Sequence, residues 1–253
     1  MFKPYTIFTP NFEVTSGGIR VMYGLYGHLL AKGQIVFLNA IYDDIPYIAV
    51  YPEIAQGNPL KGTTVVRYIL NKPGVMASMG IPGPTSFEPD DIVYVFSRLF
   101  MGVDENYYMF LPILNLHIFK DQKKKRNKKA VFYGKSQPPY KLHPQGCITI
   151  DRELAQDQQN LADLLNQCEV LYCYDPVTAM LELARLCGVR IVLFPSIYSQ
   201  DEFKKYEPGM DGISWGKDQG IKLDIEAFRE HYISLIKEFD RKLDLFIDAT
   251  QKN

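Results

Sequence analysis

The sequence predicts an α/β protein made of two Rossmann-like domains, and three observations carry that expectation. Apolar, strand-like runs alternate with amphipathic segments on both sides of a basic stretch, KDQKKKRNKK, at residues 120–129. Residues 170–194 read as a strand–helix–strand unit with both helix ends marked. Residues 5–33 read as a strand, a glycine pair that opens an amphipathic helix, and a glycine that stops it. The expected division is an amino-terminal domain over 1–119, a basic linker over 120–129, and a carboxy-terminal domain over 130–253 that ends in a long helix.

Composition sets the frame. The chain has 253 residues, 47% hydrophobic and 23% charged, with 28 Lys and Arg against 29 Asp and Glu for a net charge of −1, which excludes disordered and collagen-like classes. That length can bury one large core or two small ones. Cys147, Cys168, Cys173 and Cys187 show neither CxxC nor Cys/His spacing and read as reduced core residues, which points to a reducing cytosol. The opening MFKPYTIFTPNF is interrupted by Pro4 and Pro10, and no run approaches the roughly 18–20 apolar residues of a membrane span, so the expectation is a cytoplasmic chain. The basic run carries seven positive charges and one negative, so it must be solvated. It lacks aromatic interleaving, the rest of the chain is acidic, and Trp215 sits apart in a GISWG turn; nucleic acid is therefore not an expected partner.

In chain order, strands are expected at 5–9, 35–42, 65–70, 91–96 and 107–113, with a helix from Gly18 to Lys32 built on Val21, Met22, Leu25 and Leu29. The Pro- and Gly-rich stretches NKPG and GIPGPTSFEPD read as loops. In the second half, strands are expected at 130–134 and 147–150, and a helix over 160–168 with Asn160 as its cap. The marked unit follows: strand 170–174, Asp175 as cap, Pro176 as first helical residue, Gly188 as stop, and strand 189–194. A last helix runs from about Asp224 to Ala249 with an apolar stripe.

Three constellations can carry chemistry. Gly17 and Gly18 let backbone amides approach a ligand at a helix start that favours an anion, although such a pair is also an ordinary tight turn. Asp175, Thr178 and Glu182 lie at or near the start of the helix that leaves the 170–174 strand, where amides and a hydroxyl suit a diphosphate and a carboxylate suits ribose hydroxyls; capping and solvation are the plain alternatives. Lys135 ends a strand in VFYGK, on the rim where it can neutralise a leaving diphosphate, against the alternative of a surface lysine. Asp43–Asp44 and Asp90–Asp91 are adjacent pairs whose side chains point to opposite faces, so neither reads as a metal site, and no DxD element is present.

The joint pattern of SGGIRVMYGLYGHLLAKG, VFYGK and YDPVTAMLELARLCGVRIVLFP resembles a GT-B fold glycosyltransferase of the bacterial polysaccharide-building type, similar to glycosyltransferase family 4. The stretches YPEIAQGNPL and VVRYILNKPG are also similar to those of polysaccharide-building members. The resemblance implies two Rossmann-like domains facing across a cleft, and metal-independent, cofactor-free transfer of a sugar from a nucleotide diphosphate donor (UDP, GDP or dTDP) in the second domain. The acceptor, a glycan or a lipid-linked species, is implied in the first domain, with peripheral contact at the inner membrane face as a secondary expectation. The family's paired glutamates, five residues before the glycine and eight earlier, fall here on Leu183 and Asp175, with Glu182 one residue out of register; both acids stay open as the ribose partner. Glu13 is the candidate base of the first loop; His28 lies about three turns into its helix, and His117 precedes the linker. Nucleotide-sugar epimerases of the same architecture and a catalytically inactive binding partner are the alternatives.

Overall fold

The computed structural model describes residues 2–76, 81, 83–136, 138, 140–194 and 197–252. Gly80, Pro82, Gln137, Pro139 and Pro195, which belong to expected loops or motifs, lie outside the described residues. The chain divides into two compact units, Met1–Ile113 with Leu235–Asn253, and Leu114–Ser234.

The first unit holds β1 (Tyr5–Ile7), α1 (Gly17–Ala31), β2 (Val36–Leu38), β3 (Ile48–Pro52), β4 (Thr64–Ile69) and β5 (Ile92–Val95). Its five strands are all parallel and lie in the order β2-β1-β3-β4-β5. Ser16 caps α1 by accepting from Ile19 N, and Gly33, at φ +74°, ends it with Gly33 N donating to Leu30 O and Gln34 N to Leu29 O. The helix buries Val21, Met22, Leu25 and Leu29, as its spacing predicts, against Ile7, Val50, Val66 and Tyr68 of the sheet. The opposite face packs Ala49 and Tyr51 with Ala55 and Leu60 of the loop after β3.

Three expectations here are corrected. β3 is a strand the sequence reading passed over: all five residues are buried, so it lacks the alternation that marks a half-exposed strand. The expected strand at 107–113 forms only a single bridge, Tyr108 to Val95 on the outer edge of β5, and its opening residue ends a short 3₁₀ turn, Glu105–Tyr107. The expected strand 35–42 is also shorter, pairing only over β2.

The second unit holds β6 (Lys128–Phe132), β7 (Ile148–Thr149), α2 (Arg152–Gln156), α3 (Gln158–Leu165), β8 (Cys168–Cys173), α4 (Met180–Leu186), β9 (Arg190–Leu193), α5 (Gln200–Phe203) and β10 (Ile213–Trp215). Its strands are again all parallel, in the order β10-β9-β8-β6-β7. Counted from the first strand of each unit the two orders are the same, 2-1-3-4-5, although the sequence shows no internal repeat. The α/β class with two parallel sheets is thus observed. α6 (Ile225–Lys252) closes the chain; its residues to Ser234 belong to the second unit, and those from Leu235 place Phe239, Leu243 and Phe246 in the core of the first.

The basic run differs from a solvated linker. Lys128 and Lys129 open β6, and Arg126 donates to the carbonyls of Leu165, Cys168 and Cys187 and to Asp121 at 2.7 Å, so a guanidinium ties the run to the second unit. Asp157, not Asn160, caps α3, accepting from Gln159 N and Asn160 N. Trp215 lies in β10 rather than in a turn. The helix expected from Pro176 begins only at Met180, because Asp175 accepts from Val177 N at 3.1 Å and closes a turn on itself instead of capping a helix.

Candidate functional site

In the order 2-1-3-4-5 the chain leaves the first strand toward one edge of the sheet and returns to the other side of it, so the gap between the first and third strands is the switch point where loops diverge and a ligand can enter. In the second unit those strands are β6 and β8, followed by the loops 133–136 and 174–178. Lys135, Asp175 and Thr178, singled out from sequence, all lie on these two loops.

The loops are tied together. Tyr174 N donates to Phe132 O at 2.9 Å and Ser136 Oγ to Tyr174 O at 2.6 Å. Lys135 N donates to Asp175 Oδ2 at 3.0 Å, while Asp175 Oδ1 accepts from Val177 N. The Lys135 ammonium lies 3.0 Å from Asp175 Oδ2 and donates to Val177 O at 2.7 Å. Asp175 is only 3% exposed, so its charge is compensated by hydrogen bonds and by the ammonium, as a buried carboxylate requires. The Lys135 side chain keeps 35% of its surface in solvent. Thr178 is half-buried and its hydroxyl accepts from Met180 N at 3.3 Å.

Glu182 turns inward. It is buried in the first turn of α4 and accepts from the Tyr206 hydroxyl at 3.3 Å. Burial, with the Glu182 charge adding to it, holds the Tyr206 hydroxyl well above the usual phenol range. One turn on, Arg185 is fully buried, donating to Leu181 O at 3.1 Å and Gly209 O at 2.7 Å and stacking on Phe228 at 4.2 Å. Burial pulls its pKa down to about 10, opposed by the Glu182 charge.

The structure adds residues that sequence reading missed. Tyr133, Tyr174 and Phe194 directly follow β6, β8 and β9 and form a row, with ring centroids 5.3 Å apart for the first pair and 4.7 Å for the second. His143, from the loop after β6, lies against this row with Nδ1 3.0 Å from the Tyr174 hydroxyl. A lone histidine in a loop has no spacing that could have announced it. Three aromatics at successive strand ends were legible in principle, since each closes an apolar run.

In the first unit, Gly17 and Gly18 are the opening residues of α1, and neither is among the glycines at positive φ. A Cβ would meet nothing within 4 Å at Gly17 and only Leu70 Cδ1 at 3.7 Å at Gly18, so neither packing nor turn strain demands glycine there. Glu13 Oε1 accepts from Thr15 N at 3.0 Å and Thr15 Oγ1 at 2.8 Å, in the loop that leads to the Ser16 cap. The carboxyl edge of this sheet is polar: Thr9, Glu53, Asn71 and Ser97 come within two residues of the ends of β1, β3, β4 and β5, and all are buried. Asn39, after β2, accepts from Thr9 N and donates to Thr9 O. His28 packs edge-on to Phe239 at 4.8 Å within the same unit, and burial lowers its pKa, as expected of a structural histidine. His117 is exposed.

A hollow of about 500 Å³ lies elsewhere, beside β7, α2 and α3, between Ile148, Leu154 and Leu164. Its acids Asp151 and Asp157 are used as helix caps, so the strand-end loops carry more chemistry than this hollow. Among the described residues, no group of three His, Cys, Asp or Glu side chains is arranged to hold a metal ion, and no helix is long and apolar enough to cross a membrane.

No protein-family model matches the chain, and no curated protein matches it. Solved structures similar to it include the glycotransferase of kitacinnamycin, at 11% identity and a TM-score of 0.45 over 100% of this chain and 96% of the other. Another is the spinosyn forosaminyltransferase SpnP, at 12% identity and a TM-score of 0.44 over 98% of this chain and 95% of the other. A third is the functionally uncharacterized protein KP1_0663 from Klebsiella pneumoniae, at 11% identity and a TM-score of 0.38 over 85% and 93%.

Proposed function

We propose that the protein is a glycosyltransferase that takes a sugar from a nucleotide diphosphate donor bound at the carboxyl edge of β6 and β8. The observation that carries this reading is the pair of cross-tied loops at that switch point, where the Lys135 ammonium is held in place and the lysine side chain keeps about one-third of its surface in solvent. An ammonium can stabilise the charge that develops on a departing diphosphate without a metal ion. The Thr178 hydroxyl adds a polar contact on the neighbouring loop, while Glu182, buried in α4 against Tyr206, stands behind the site as a counter-charge to Arg185. The acceptor is assigned to the first unit, with the backbone amides of Gly17 and Gly18 in the first turn of the 15-residue α1 as the proposed contact for an anionic or hydroxyl group. Glu13, in the loop before α1, is the proposed base.

Titration calorimetry with UDP, GDP and dTDP tests the donor half of this proposal. Binding of one nucleotide in preference to the others, lost in Lys135→Ala, is the expected result. Absence of binding for all three overturns it. A hydrolysis assay on the matching nucleotide sugar then separates transfer from epimerisation, since an epimerase returns an isomerised donor with no acceptor present.

A further inference from the structure

Resting on the reading of the strand-end loops as a diphosphate site, we propose that Asp175 is a positioning residue for Lys135 and not a contact to the donor. Both carboxylate oxygens of Asp175 are committed, Oδ1 to Val177 N and Oδ2 to Lys135 N and to the Lys135 ammonium. The group is 3% exposed, whereas the lysine it holds is one-third exposed. At this rim a ligand therefore meets the lysine side chain before it meets the carboxylate. Asp175 thus fixes Lys135 at two points, its backbone N–H and its terminal charge, and Val177 O supplies a third. A free lysine has four rotatable side-chain bonds to order before it can grip an anion; this one is ordered in advance, and preorganisation of that kind strengthens binding. The acid that the sequence leaves open as a ribose partner acts, on this geometry, forty residues away in sequence on its neighbour loop.

The test is a double-mutant cycle read by calorimetry, using inorganic pyrophosphate and then UDP as probes. Asp175→Asn keeps an acceptor for Val177 N but turns a neutral amide toward the ammonium. It is expected to weaken pyrophosphate binding about ten-fold, as loss of a charge-assisted partner does. Lys135→Ala is expected to weaken binding at least as much, and the double variant no further than Lys135→Ala alone. If the two losses multiply, Asp175 touches the ligand independently and the proposal is overturned; unchanged affinity in Asp175→Asn overturns it as well. A ligand-free readout separates this from failure of the diphosphate reading. In the unmodified protein, acylation of Lys135 by acetic anhydride, followed by mass spectrometry, is expected to be several-fold slower than that of the exposed Lys141. It should accelerate in Asp175→Asn. Equal rates at Lys135 and Lys141 overturn the positioning role even if no nucleotide binds and even if the variant does not fold. Slow acylation without any pyrophosphate or nucleotide binding retains the positioning role and removes the site reading.

Discussion

A Cβ on Gly134 would fall 2.4 Å from Asp175 Oδ2 and 2.5 Å from Asp175 Cβ, so the glycine after β6 and the aspartate after β8 compete for one volume. Gly134 also has φ +58°, the left-handed region that an L side chain adopts at a cost. Gly134→Ala is therefore expected to lower unfolding free energy by about 2–4 kcal/mol through strain and displacement of a buried carboxylate. Urea denaturation of the purified variant measures this; a loss under about 0.5 kcal/mol, typical of an indifferent surface site, would contradict it.

Lys135→Ala should weaken binding of the preferred nucleotide diphosphate by roughly 1–3 kcal/mol, the usual range for a charge-assisted contact. The ion pair it removes is one-third exposed on the lysine side, so folding stability should change far less than affinity. Calorimetric affinities and melting temperatures, taken together, distinguish the two effects.

Glu182→Gln should be felt first in stability. The carboxylate faces Tyr206 and helps to compensate the fully buried Arg185, and leaving a buried cation without its counter-charge costs about 3–5 kcal/mol. Tyr206→Phe removes only one hydrogen bond and should cost about 1 kcal/mol. Denaturation curves for the two variants should rank in that order. If Glu182→Gln melts like the parent but loses nucleoside affinity by more than Asp175→Asn does, the acid is a ribose ligand rather than a structural counter-charge.

The environment of His143 predicts acid sensitivity. The Tyr174 hydroxyl accepts from Leu142 N at 2.7 Å and from His143 N at 3.3 Å, which leaves its own proton for His143 Nδ1, 3.0 Å away, so the neutral imidazole is the form that fits. Burial first, and the charge of Lys141 second, hold the His143 pKa below its ordinary value of 6.5. The unfolded chain then binds more protons than the folded one just below that pH, so this contribution to stability is complete above about 6.5 and is lost as pH falls from there. His28 is shifted the same way and adds to the effect. The stability difference between pH 7.5 and pH 5.5 should shrink in His143→Gln relative to the parent; an identical difference in both proteins would refute the assignment.

Sequence by itself determined the elements whose signals are local. The four apolar residues of α1 and its Gly33 stop follow from helical periodicity and left-handed backbone tolerance, and β8, the end of α4 at Gly188, and β9 follow from apolar runs bounded by breakers. The same signals brought attention to Lys135 and Asp175. Tertiary structure decided what periodicity does not encode. β3 is buried on both faces and carries no alternation, and β10 is three residues long. Asp175 looks like a helix cap in sequence, yet its carboxylate is claimed by Lys135 because β6 and β8 are neighbours in the sheet. Arg126, written in a run of solvated charges, finds three backbone carbonyls from the ends of α3, β8 and α4. The physical reason is common to all of these. A residue's own segment sets which face it shows, but its hydrogen-bonding partner is fixed only when strand order brings distant loop ends side by side.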